Sequence, residues 1–157
     1  MVLIRILTFV ALLAGLLPHT AWAEALSTQT PAPAVQPGSE NAISAAQSWL
    51  AVVDAGQFEK SWEEAAPIFK SNVSEDAWKK LLELHRGPLG KLANRELRSK
   101  TFYTALPGAP EGNYWVLDYV STFGDGKKLY ERVTPMKVGE KDWKISGYFL
   151  NAAGFSN

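Results

Sequence analysis

Two carboxylates, Asp118 and Glu131, lie in neighbouring segments rich in β-branched and aromatic residues, one on each side of Gly124-Asp125-Gly126. With Asp125-Gly126 as a two-residue hairpin loop, Phe123 falls opposite Lys128, Val120 opposite Glu131 and Asp118 opposite Val133. Asp118 and Glu131 are then diagonal neighbours on one face, with side chains about 7 Å apart. Carboxylates so placed can share the work of acid and base or hold a cation. The plainer reading pairs each with an Arg or Lys of an adjoining strand. Tyr148 and Tyr103 are the hydroxyl donors that would serve such a base. Arg95 and Arg98 carry guanidinium groups suited to an anionic ligand, or more plainly to Glu131, Asp118 and Glu96.

Other chemistries lack their residues. The chain has no cysteine, which removes thiolate metal sites, thiol nucleophiles and redox motifs. It has two histidines, His19 and His85, and only His85 lies outside the leader described below, so no histidine metal cluster is expected. His85, at a helix end beside Arg86, reads as a capping side chain rather than a general base. No serine stands in a Gly-x-Ser-x-Gly elbow. Gly124-Asp125-Gly126 links two strands and opens no helix, so it reads as a turn and not as a phosphate loop. No cofactor is expected. Most of the six tryptophans fall on apolar stripes and read as core; Trp62, near the middle of a helix, is the one set aside as a ligand candidate.

These groups must be positioned by elements whose period changes half-way along the chain. Ile43, Ala46, Leu50 and Val53 recur at helical spacing, with Ser39 as the expected N-cap and Gly56 as the stop. Phe58, Trp62, Ala65, Ala66 and Phe69 predict a second helix, with Pro67 near its end. Ser74, followed by Glu75 and Asp76, opens a third, which Arg86-Gly87-Pro88-Leu89-Gly90 breaks. Four strands are then predicted, near Arg95 to Leu106, Asn113 to Phe123, Lys128 to Val138 and Trp143 to Leu150. Short connections make them an antiparallel meander. The fold class is α+β, with three N-terminal helices packed on one face of a curved four-stranded sheet. The covered face is predicted to hold Trp115, Leu117, Tyr119, Phe123, Tyr130, Met136, Ile145 and Phe149. The other would hold Tyr114, Val116, Asp118, Val120, Leu129, Glu131, Val133 and Tyr148, an apolar patch suited to a homodimer or a protein partner.

Upstream of the helices, Arg5, the apolar run Ile6 to Leu17, Pro18 and the triplet Ala21-Trp22-Ala23 have the layout of a secretory signal cleaved after Ala23. The run is too short for a membrane span, and no cysteine is present to accept a lipid. No stable membrane anchor is therefore expected after cleavage, and the protein is read as soluble in the periplasm or medium. Residues 24–38, with three prolines, read as a flexible linker ahead of one domain over 39–157. The chain has 16 basic and 16 acidic residues; Arg5 leaves with the leader, so the mature protein has one acid in excess and no charge pattern for nucleic acid.

Trp49-Leu50, Asp54-Ala55-Gly56-Gln57-Phe58, Ser61-Trp62-Glu63-Glu64-Ala65-Ala66, Phe69-Lys70 and Trp78 are followed by Arg86-Gly87-Pro88-Leu89-Gly90 and Arg95. Next come Leu106 through Tyr114, Phe123, Glu131 and Trp143-Lys144-Ile145-Ser146-Gly147-Tyr148. In order and spacing these resemble the secreted bacterial proteins of the domain of unknown function 4019 family, over essentially the whole mature domain. That resemblance implies no established activity. More distantly, the helix, Asp-Ala-Gly-Gln-Phe, helix opening and the late Trp-Lys-Ile strand resemble the nuclear transport factor 2-like or cystatin-like superfold. That superfold implies helices over a bent sheet with room for a pocket, and hosts enzymes and interaction modules alike. Three functions stay open. One is a periplasmic module that binds a small molecule or a protein, with Trp62, Arg95, Arg98, Tyr114 and Tyr148 as ligand or interface candidates. Another is an isomerase or dehydratase, with Asp118 or Glu131 as base and Tyr148 or Tyr103 as donor. The third is a structural accessory of the cell envelope.

Overall fold

The computed structural model describes residues 38–124 and 126–155. The leader read over 1–23 and all of the 24–38 linker but Gly38 lie outside the described residues. The first apolar stripe forms α1 (Ser39–Asp54), which buries Ala42, Ala46, Trp49, Leu50 and Val53. Its cap is Gly38, one residue before the expected Ser39. Gly38 adopts φ 81°, and a Cβ there would stand 3.1 Å from the Trp143 indole, so the position favours glycine on both counts. Gly56, at φ 72°, ends the helix as expected.

The second predicted helix is two short ones, α2 (Phe58–Glu64) and α3 (Pro67–Asn72), with Ala65 and Ala66 extended between them. Proline disfavours helical backbone at the residue before it and is well placed at the first position of a helix, so Pro67 ends one winding and starts the next. The break frees the Ala66 N–H, which donates to the Ile145 carbonyl at 2.8 Å. The third predicted helix is α4 (Glu75–His85). Its cap is Ser74, whose Oγ accepts from the Ala77 N–H at 3.3 Å, and Gly87–Leu89 make a 3-10 turn after it.

The strands are β1 (Leu92–Tyr103), β2 (Tyr114–Phe123), β3 (Lys127–Lys137) and β4 (Trp143–Asn151), antiparallel neighbours in sequence order in one open sheet. The fold is α+β as the periods require, with the helices on one face. The register differs from expectation by one residue. Phe123 pairs with Lys127 rather than Lys128, and Tyr119, not Val120, pairs with Glu131, because the hairpin loop spans Gly124 to Gly126. Since side chains alternate across a strand, this step carries every β3 side chain to the other face. Leu129, Glu131 and Val133 therefore lie under the helices with Leu117, Tyr119 and Phe123, and Tyr130 faces outward. Tyr148, paired with Val133, is also in the core, and Phe149 is 59 % exposed. Glu131 and Asp118 thus point to opposite faces, and the acid and base pair expected from the shorter loop does not form.

Candidate functional site

At the centre of the helix-covered face, polar groups from six elements meet. Asp54 closes α1, Arg86 caps α4, and Arg95, Ser121, Glu131 and Tyr148 come from β1, β2, β3 and β4. Asp54 accepts from Arg86 Nη2 at 2.7 Å and from Arg95 Nη1 at 2.7 Å. The Arg95 Nε donates to Glu131 Oε2 at 2.7 Å. Ser121 Oγ donates to the same carboxylate oxygen, and the Tyr148 hydroxyl donates to Oε1 at 2.6 Å. Two cations face two anions, and Glu131 is fully buried. Charges at such depth are tolerated because each carboxylate oxygen has a donor; removing one partner would leave a buried charge uncompensated.

The electrostatics follow from these contacts. Burial alone would raise the Asp54 pKa, but hydrogen bonds from Arg95 and Arg86, with their charges, outweigh it and hold the carboxyl below its usual range. Burial pushes the Tyr148 phenol well up, and the Glu131 charge and hydrogen bond add to this, so Tyr148 stays a neutral donor. Burial raises Tyr119 to about 12, with the Arg95 charge opposing and the Glu131 charge assisting. Unlike Tyr148, the Tyr119 hydroxyl has no hydrogen-bond partner among the described residues.

Tyr148 joins this network to an aromatic cluster. Its ring centroid lies 5.4 Å from Trp49 and 6.0 Å from Trp78, and Phe69 meets Trp78 edge-on at 4.9 Å. Both indoles are anchored on one residue, Trp49 Nε1 to the Ser61 carbonyl at 2.7 Å and Trp78 Nε1 to Ser61 Oγ at 2.9 Å. The remaining edge of Tyr148 lines a surface groove of about 400 Å³ between α4 and β4. Leu81, Leu89, Leu129 and Leu150 make its apolar walls, with His85, Lys127 and Asn151 among its polar residues; among the described residues no carboxylate lines it. Leu81 is 45 % exposed and Leu84, on the same helix, 69 %. Exposed leucines beside a concave apolar wall have the composition of a binding groove.

Residues 45–148 match the model of a family described as a protein of unknown function, DUF4019. The chain belongs to the DUF4019 family. No curated protein and no solved structure matches it. In this DUF4019 protein, the motif residues that carry the resemblance converge in space. Asp54 of the Asp-Ala-Gly-Gln-Phe segment, Arg86 of Arg-Gly-Pro-Leu-Gly, Arg95, Glu131 and Tyr148 are the five ionisable members of the buried network.

The other sequence candidates lie apart from it. Trp62 Nε1 donates to the Val73 carbonyl at 2.8 Å, and the Lys70 ammonium stands over its ring, so Trp62 ties α2 to the end of α3 and does not line the α4–β4 groove. Tyr114 is fully buried and its hydroxyl donates to the Pro110 carbonyl at 2.7 Å, which anchors the β1–β2 connection. Tyr103 is half-exposed at the end of β1. Arg98 sits at a β1 bulge, 3.4 Å from Glu96 and well exposed. Asp118 is on the outer face, gripped by Arg132 through two hydrogen bonds of 2.7 and 2.9 Å and by Ser99 at 3.1 Å. The Phe155 ring lies 4.5 Å from the Arg132 guanidinium, so the last described residues fold over this face. The outer face thus differs from expectation, since Leu129, Glu131, Val133 and Tyr148 have left it and Tyr130 and Phe149 lie on it. Among the described residues no group of three acidic or histidine side chains could hold a metal ion. Sequence reasoning missed Asp54 and Arg86 as network members and the groove residues other than Tyr148. The signals available were Leu81 and Leu84, three apart on α4, and the uncharged run Ile145–Asn151.

Proposed function

We propose that this DUF4019 protein is an exported binding module that takes an apolar ligand or partner segment in the groove between α4 and β4. The observation that carries this reading is the groove itself, leucine-walled, edged by a few polar groups and open to solvent. The buried network beneath it serves as the rigid support, because it fixes the ends of α1 and α4 against all four strands. Export rests on the leader ending at Ala23, with the mature protein in the periplasm or medium. No helix of the described residues is long and apolar enough to cross a membrane.

The isomerase or dehydratase reading has less to support it. Glu131 is fully buried with both oxygens engaged, Asp118 is held by Arg132, and among the described residues no carboxylate lines the groove. A base needs an accessible oxygen at a substrate proton. Self-association through the outer face is also less well supported, since the Asp118–Arg132 pair and Phe155 occupy its centre. The likeness to the nuclear transport factor 2-like superfold remains part of this proposal, resting on the opening motif and the final strand.

The test is native mass spectrometry of the protein recovered from its own exported fraction, beside Leu81→Glu. Leu81 is exposed, so the change alters the groove wall and spares the core. A bound species present on the wild type and lost from the variant is expected. Species retained equally by both, or bare protein in both, would overturn the reading.

A further inference from the structure

The groove runs beside an edge of the sheet, and the two edges are built differently. β1, at one side, carries Glu96, Arg98 and Lys100 and two register irregularities. Charges and bulges of that kind keep an edge strand from pairing with foreign chains. β4, at the other side, reads Ile-Ser-Gly-Tyr-Phe-Leu-Asn from Ile145 to Asn151, with no charged residue and one irregularity near its middle. Its outer edge is bonded at one point, where the Ala66 N–H meets the Ile145 carbonyl. From Ser146 to Leu150 no backbone group bonds outside the sheet among the described residues. The part of this stretch from Tyr148 to Leu150 borders the groove, with Leu81 on the opposite wall.

We propose that the occupant is an extended polypeptide segment, apolar at alternate residues and bearing one acidic side chain, that pairs with the outer edge of β4 as a fifth strand. This deepens the groove reading above and rests on it. A strand added there would satisfy the open edge by main-chain hydrogen bonds and would insert every second side chain between β4 and Leu81. The acidic requirement comes from Lys127, which lines the groove with no carboxylate beside it among the described residues. The same charge argues against a second copy of this chain as occupant, since Ile145–Asn151 offers no acid in return.

The probes are blocked seven-residue peptides that alternate valine and threonine and end in glutamate, titrated into the mature protein by calorimetry and followed by amide NMR. Three controls accompany them: the same peptide N-methylated at alternate backbone nitrogens, the same peptide ending in lysine, and decanoate, which has an apolar tail and a carboxylate but no backbone. The parent peptide is expected to bind and to slow hydrogen exchange at the amides of Ser146–Leu150. N-methylation should weaken it by at least about tenfold, because the ladder is lost while the side chains remain. The lysine peptide should bind more weakly to the wild type and recover on Lys127→Glu.

Equal binding of the methylated and parent peptides would overturn strand addition. Binding of decanoate alone would overturn the peptide assignment and leave the groove reading standing. Binding of none of the probes, together with bare protein in the mass spectrum, would remove both. A concentration-dependent dimer with protected β4 amides would make a second copy the occupant and overturn the proposal.

Discussion

Tyr148 and Tyr119 both bury a phenol beside Glu131, yet only Tyr148 has a partner for its hydroxyl. Removing each hydroxyl should therefore have different outcomes. Tyr148→Phe leaves Glu131 Oε1 without its donor inside the protein, which is expected to cost about 1–3 kcal/mol. Tyr119→Phe removes a hydroxyl that gains nothing in the fold, and is expected to be neutral or to stabilise by up to about 1 kcal/mol. Urea denaturation of the two variants under one buffer checks both values. A Tyr119→Phe loss as large as that of Tyr148→Phe would show that the Tyr119 hydroxyl is satisfied after all. Of the two, the sequence singles out Tyr148 as a hydroxyl donor and leaves Tyr119 as a core residue. The sequence places Tyr148 on the outer face together with Val133 and Glu131, whereas all three lie under the helices.

The β2–β3 hairpin is where one element decides the face of another. Gly124 has φ 49°, and a Cβ there would lie 2.9 Å from the Leu89 carbonyl, a backbone atom that cannot swing aside. Its N–H also donates to the Lys91 carbonyl at 2.8 Å. Gly124→Ala is thus expected to destabilise by about 1–3 kcal/mol, measured by thermal unfolding, with the loss centred on the Leu89, Phe123 and Leu129 cluster. The hairpin also shows what the sequence leaves open. Helical spacing and turn residues disclose all four strands and the helical half, since those depend on periods a few residues long. Whether Gly124 belongs to the strand or the loop is a choice of one residue, and Gly-Asp-Gly permits both. That single step moves Leu129, Glu131 and Val133 between faces, and with them the whole reading of the carboxylates. The division of the second helix is more accessible, because Pro67 disfavours helical backbone at Ala66.

For the molecule as a whole, the depressed carboxyls predict the direction of its response to acid. Asp54 titrates below its unfolded value near 3.9, and Asp118 does likewise, chiefly through the hydrogen bond from Arg132, which outweighs the opposing effect of burial. Groups of this kind contribute fully above the unfolded pKa, and the contribution is lost as pH falls through the folded one. Stability is expected to hold from neutrality to about pH 5 and to decline below about pH 4. Asp54→Asn should lower stability at neutral pH and flatten the acid limb, read from urea midpoints across the range. An unchanged acid limb in that variant would remove Asp54 from the account. The aromatic cluster has a consequence of another kind. Trp49 and Trp78 lie 6.0 Å apart with a 36° tilt, each is bonded to Ser61, and both touch the Tyr148 ring that forms the floor of the groove. Chromophores this close couple their electronic transitions, so the near-ultraviolet circular dichroism and the indole emission depend on a ring that any occupant would press against. The protein thereby contains its own optical reporter, and occupancy can be followed without a label.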